Sequence, residues 1–162
     1  MRIKTFVDED FVNYKKPAMF IGACSCSGKC WKELGLDPSM CQNNRLMDTE
    51  TINIGERKLI ERYLANNITS AIVFGGLEPM DQFDELLFFI RVLRWNYKCN
   101  DDVVIYTGYY PYEIEDKISA LEEFQNIIVK YGRFYPNRDP HFDEVLGVSL
   151  ASPNQFAQRL GE

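Results

Sequence analysis

The chain has 162 residues, 46% hydrophobic and 26% charged, which is the size and balance of one packed domain over residues 1–162 and not of a disordered polymer. Its 18 basic and 24 acidic residues leave a formal charge of −6, the wrong sign for a phosphate-backbone partner, so no nucleic acid is expected. No apolar run approaches the ~20 residues of a membrane span, and residues 1–10 carry Arg2, Lys4, Asp8, Glu9 and Asp10 without a signal-type core. An intracellular, cytoplasmic protein with no membrane contact is expected.

Taken in chain order, Ile3 and Val7 alternate with Arg2 and Lys4 and predict an added edge strand within the first seven residues. Residues 18–21, 71–74, 103–106 and 127–129 are short apolar runs of the kind that form buried strands. Between the first two, residues 55–65 place Leu59, Ile60, Tyr63 and Leu64 at helical spacing in a charged segment. Between the next two, residues 81–97 align Phe83, Leu86, Leu87, Ile90 and Leu93, with Asp81 and Asp84 at the end where a helix dipole favours acidic groups. Ile114, Ile118 and Leu121 repeat at i, i+4 and i+7 in a helix expected just after Pro111. Ser152, Pro153 and Gln155 have the spacing of a capping box, which predicts a short terminal helix through Leu160. Strand and helix alternate, so the expected class is α/β, a mainly parallel sheet with flanking helices and right-handed crossovers. A closed eightfold barrel takes about 250 residues; an open or partial (β/α) barrel is therefore expected.

The chemistry is concentrated in the cysteines. There are 5, namely Cys24, Cys26, Cys30, Cys41 and Cys99, and the bunching of the first four argues for metal or redox use over a disulfide framework. Residues 23–30 follow the first buried strand at its carboxyl end, where α/β proteins place ligands. Cys26, Cys30 and Cys41 put three thiolates on one loop, a set that suits a soft metal or an iron–sulfur cluster with one iron left open. Spacing alone leaves two alternatives, a structural zinc site with Cys24 as fourth ligand, and reduced thiols that bind nothing. Cys99 reads as structural. The single histidine, His141, disfavours histidine-built zinc sites and Ser/His or Cys/His hydrolase pairs.

Two further strand ends stand out. In Phe74-Gly75-Gly76-Leu77-Glu78-Pro79-Met80 the paired glycines let backbone approach a ligand, and Glu78 offers an acceptor to an amine. A plain strand-to-helix turn is the alternative, and a phosphate loop is disfavoured because the Gly-Lys-Ser/Thr ending is missing. Tyr106-Thr107-Gly108-Tyr109-Tyr110 offers a stacking wall or simply core aromatics.

Together these motifs resemble the radical S-adenosylmethionine (SAM) activating enzymes of anaerobic ribonucleotide reductase. The order is Cys-x3-Cys, then Cys41-Gln42-Asn43, then Gly-Gly-x-Glu-Pro, then Tyr-Thr-Gly-Tyr. The leading segment at residues 10–16, Tyr131-Gly132-Arg133-Phe134 and Ser152-Pro153-Asn154-Gln155 extend the likeness over nearly the whole chain. The resemblance implies a radical SAM fold of open-barrel type and a [4Fe-4S] cluster on Cys26, Cys30 and Cys41, with Gly75, Gly76 and Glu78 at the SAM amino end. It also implies reductive cleavage of SAM to a 5'-deoxyadenosyl radical that generates the glycyl radical of the reductase, fed by a low-potential donor such as flavodoxin or ferredoxin. The same fold and cluster would also suit an activase of another glycyl-radical protein or a peptide-modifying enzyme, and a non-catalytic zinc-bound module is the reading from a different class. The family's Cys-x3-Cys-x2-Cys is expanded here by residues 31–40, a loop expected to border the docking surface, and Leu77 splits the usual Gly-Gly-Glu.

Overall fold

The computed structural model describes residues 1–161. In chain order the elements are β1 (Arg2–Asp10), β2 (Ala18–Ala23), α1 (Lys29–Glu33), α2 (Asn44–Met47), β3 (Ile52–Asn53), α3 (Glu56–Leu64), β4 (Ala71–Gly76), α4 (Phe83–Arg91), β5 (Asp102–Tyr106), α5 (Glu115–Leu121), β6 (Ile127–Tyr131), β7 (His141–Asp143), β8 (Val148–Leu150) and β9 (Phe156–Arg159). Seven strands form one sheet in the order β3-β1-β2-β4-β5-β6-β9. The ladders β2/β4, β4/β5 and β5/β6 are parallel, while β1, β3 and β9 add on antiparallel at the two sides. The class is thus α/β, as the alternating pattern requires. Among the described residues the sheet ends at β3 and β9 and does not close.

Its two faces are unlike. Leu59, Ile60, Leu86, Ile90 and Leu121, from α3, α4 and α5, pack with Met19, Ile21, Ile72, Phe74, Ile105 and Val129 in one large core. Fully burying each such side chain contributes roughly 1.5–3 kcal/mol, so this face holds most of the stabilising area. The other face carries Ala18, Ala71, Val73, Val104 and Ile128, and its buried cover is Tyr14 with Leu146 and Leu150 around the β7/β8 hairpin. Among the described residues, no helix residue takes part in that second cluster. Small side chains and a small cover leave room toward the carboxyl ends of β4, β5 and β6.

Four expectations are corrected or refined. The terminal segment is a strand and not a helix: Gln155 accepts from Ala151 N at 3.0 Å in place of closing a capping box, and β9 pairs with β6 from Tyr131/Phe156 to Ile128/Arg159. The open edge of β6 needs backbone partners, and this outweighs a weak local helix signal. The first strand runs to Asp10 and is flanked by β3 at Arg2 and Ile3, so its start is not an edge. A register shift between Ile3 and Thr5 also breaks the alternation, burying Ile3 completely but leaving Val7 46% exposed. The long amphipathic stretch after β4 begins as a 3-10 turn at Pro79–Gln82 and ends as a π-helical turn at Val92–Asn96. That wide turn carries the buried Arg94, whose guanidinium donates to the carbonyls of Cys99, Asp101 and Gln125. The helix expected just after Pro111 opens with a 3-10 turn at Pro111–Glu113, and α5 follows.

Candidate functional site

The cysteine loop leaves β2 at Ala23 and is fastened at once to the segment after β4. Gln82 Oε1 accepts from Cys24 N at 2.7 Å, Ser25 O accepts from Glu78 N at 2.7 Å, and Asp81 Oδ2 accepts from Ser27 N at 2.6 Å. Tyr109 OH donates to the other Asp81 oxygen at 2.6 Å, so the end of β5 joins the same clamp. Gly28 then turns the chain into α1 with φ at +71°, and a Cβ there would stand 2.5 Å from the Trp31 ring. Only glycine meets both demands.

Cys26, Cys30 and Cys41 line one cavity of about 340 Å³, and Gly75, Gly76 and Glu78 line the same cavity. The inserted loop therefore turns back: α1 and a 3-10 turn at Pro38–Met40 return Cys41 to the wall that Cys26 and Cys30 already form, and α2 follows it. Cys24 lies off this wall, its Sγ 3.8 Å from Ser25 Oγ. Cys99 packs against the helix-side core, and His141 sits in the β7/β8 hairpin, also away from the cavity. The paired glycines serve packing as well. A Cβ on Gly75 would meet the Phe20 ring at 2.9 Å, and one on Gly76 would meet Gly22 Cα at 2.9 Å. Close approach of β2 and β4 is thus sufficient reason for glycine at both.

Glu78 is 6% exposed and accepts three hydrogen bonds: Oε1 from Thr107 Oγ1 at 2.7 Å and Met80 N at 3.1 Å, Oε2 from Gly108 N at 2.8 Å. All three donors are neutral. A carboxylate has about four acceptor positions, so one on Oε2 stays open. Burial pushes its pKa up to about 7, against the pull of those donors. Burial likewise raises the Cys26 thiol to about 11 and raises Cys30, while backbone N–H groups of Gly28 and Phe134 pull the other way.

One wall residue and several residues that fasten the site escaped the sequence reading. Lys130 is 6% exposed, lines the cavity and donates to Gly132 O at 3.0 Å, and burial lowers its pKa to about 8. Its signal was a lysine two positions after Ile128 in an apolar strand, where side chains share a face. Asp81, Gln82 and Glu113 carried no such mark, because their partners are distant in sequence. The charges expected to face a partner on residues 31–40 are engaged within the chain: Lys32 Nζ donates to Ser27 O and Glu33 pairs with Arg133.

Comparison with known protein families, curated proteins and solved structures gives no match. The fit to a sulfur-bound group therefore rests on the donor set. Three soft thiols share one cavity, and 340 Å³ is within the range of small-molecule sites. Among the described residues, no three cysteine, histidine or acidic side chains are drawn together as a ready-made metal cage. No helix among them is long and apolar enough to cross a membrane.

Proposed function

We propose that this chain is an iron–sulfur, SAM-dependent activating enzyme that generates the glycyl radical of an anaerobic ribonucleotide reductase. The observation that carries the reading is the meeting of Cys26, Cys30 and Cys41 with the Gly75-Gly76 strand end and Glu78 on one cavity, at the carboxyl ends of parallel strands. The one-sided helix cover supports the finer reading of the sheet as an opened (β/α) barrel, because barrel crossovers keep every helix on the outer face and place the site at the carboxyl ends of the strands.

When bound, a [4Fe-4S] cluster with SAM supplies one-electron radical chemistry. The chain's own residues prepare the place. The three cysteines serve as ligands once deprotonated, and metal binding releases their protons. Glu78 keeps one acceptor position for an ammonium group. Phe20 and Tyr106 form an aromatic wall that excludes water. A low-potential donor such as flavodoxin or ferredoxin is the proposed electron source, and the cytoplasm the proposed compartment.

The test is anaerobic reconstitution with iron and sulfide, followed by addition of reductant, SAM and the reductase. A glycyl radical seen by electron paramagnetic resonance is expected. Zinc uptake with no iron–sulfur chromophore would overturn the reading, and a chromophore without a radical would remove the named partner.

A further inference from the structure

One charge network ties the cysteine loop to the far side of the sheet. Arg133, just beyond β6, has a guanidinium only 3% exposed that meets two carboxylates at once. Nη1 and Nη2 donate to the two Glu113 oxygens at 2.7 Å each. Nε and Nη2 lie 2.6 and 3.0 Å from the two Glu33 oxygens. Nη1 also donates to Gly108 O at 3.1 Å, and the group lies over the Tyr110 ring at 5.0 Å. Lys29 closes the circuit, donating to Glu113 and standing 3.7 Å from Glu33. Lys29 and Glu33 are the two ends of α1, and Cys30 lies between them. Phe134, the next residue after Arg133, lines the same cavity as Cys30.

The helix has little else to hold it. Its 5 residues include none that is buried, and so short a helix does not persist by its internal bonds alone. Two cations stand against two carboxylates, so the buried guanidinium is compensated, and its planar fork addresses both carboxylates in a way a lysine cannot reproduce. We propose that Arg133 is a positioning residue: it latches α1 over the cavity and keeps Cys30 in place before any ligand binds. The latch rests on the proposed function only in treating Cys30 as a ligand.

The experiment is alkylation of the reduced, metal-free full chain with iodoacetamide, with each cysteine peptide quantified by mass spectrometry over time. Arg133→Gln is expected to raise the Cys30 rate about tenfold, because losing one partner of a buried ion pair frees a local opening. Cys99, in the helix-side core, should keep its wild-type rate; general loosening of the fold would raise both. Arg133→Lys should fall between wild type and Arg133→Gln. If Arg133→Gln fails to fold, Glu33→Gln decides, since that carboxylate is 45% exposed and tolerates change. A several-fold rise at Cys30 alone supports the latch. An unchanged Cys30 rate, or equal rises at Cys30 and Cys99, overturns it. Failure of wild-type chain to take up iron and sulfide would instead overturn the proposed function and leave the labelling result standing.

Discussion

The two ends of the parallel strands each bury a carboxylate, and the two are treated in opposite ways. At the amino end, Asp102 receives Tyr14 OH at 3.0 Å, Arg159 at 2.9 Å and Lys16 at 2.5 Å. Burial pushes its pKa up, but hydrogen bonds from Lys16, Arg159 and Tyr14 outweigh this and the net shift is down. At the carboxyl end, Glu78 receives only neutral donors, no ion pair reaches it among the described residues, and its pKa is pushed up to about 7. A buried anion with its cations supplied is a fastening. A buried anion with no cation in hydrogen-bond contact, on a cavity wall beside three thiols and with only the charge of buried Lys130 near it, is suited to a cation brought by a ligand.

Changes at the cavity end should abolish binding before they affect the fold. Cys26→Ala, Cys30→Ala and Cys41→Ala are each expected to eliminate a site-differentiated cluster, whereas Cys24→Ala and Cys99→Ala retain it, read by iron and sulfide content after anaerobic reconstitution. Full iron in Cys41→Ala, with loss in Cys24→Ala, would exchange their roles. At the amino end the expected loss is stability: Asp102→Asn should cost about 2 kcal/mol by urea unfolding, a figure held down because Lys16 is 46% exposed. The same variant should bind SAM as wild type does.

Glu78→Gln should weaken SAM binding of the reconstituted protein by about tenfold, the value of one charge-assisted hydrogen bond. Unchanged affinity by calorimetry would make Glu78 a second fastening and erase the contrast between the ends. The smallest effect is in pH. Because the folded pKa of Asp102 is lowered, its stabilisation is present above the unfolded value of about 3.9 and lost as pH falls through the folded one. Wild type and Asp102→Asn should therefore differ most near neutrality and converge in strong acid. A constant gap across that range would show that Asp102 acts through packing and not through its charge.

Much of this molecule follows from local pattern. The apolar runs ending near Ile21, Phe74, Tyr106 and Val129 determined the four parallel strands, and the 3.6-residue spacing of Leu59, Ile60 and Tyr63 and of Leu86 and Ile90 determined two of the covering helices. Such patterns are legible because a strand or helix buries a face set by its own period. The cysteines and the Gly-Gly-Leu-Glu turn were also visible as a chemical set, since strand order alone brings successive carboxyl ends together. Tertiary structure decided the rest. The final segment became β9 because β6 had an open edge, Val7 turned outward because of a bulge, and Cys41 joined Cys26 and Cys30 only through the path of the inserted loop. The partners of Asp102 and Arg133 were likewise undetermined locally. Glu33 lies 100 residues from Arg133 along the chain, and such a pair is selected by the folded geometry that brings them within reach, with no trace in the period of either segment.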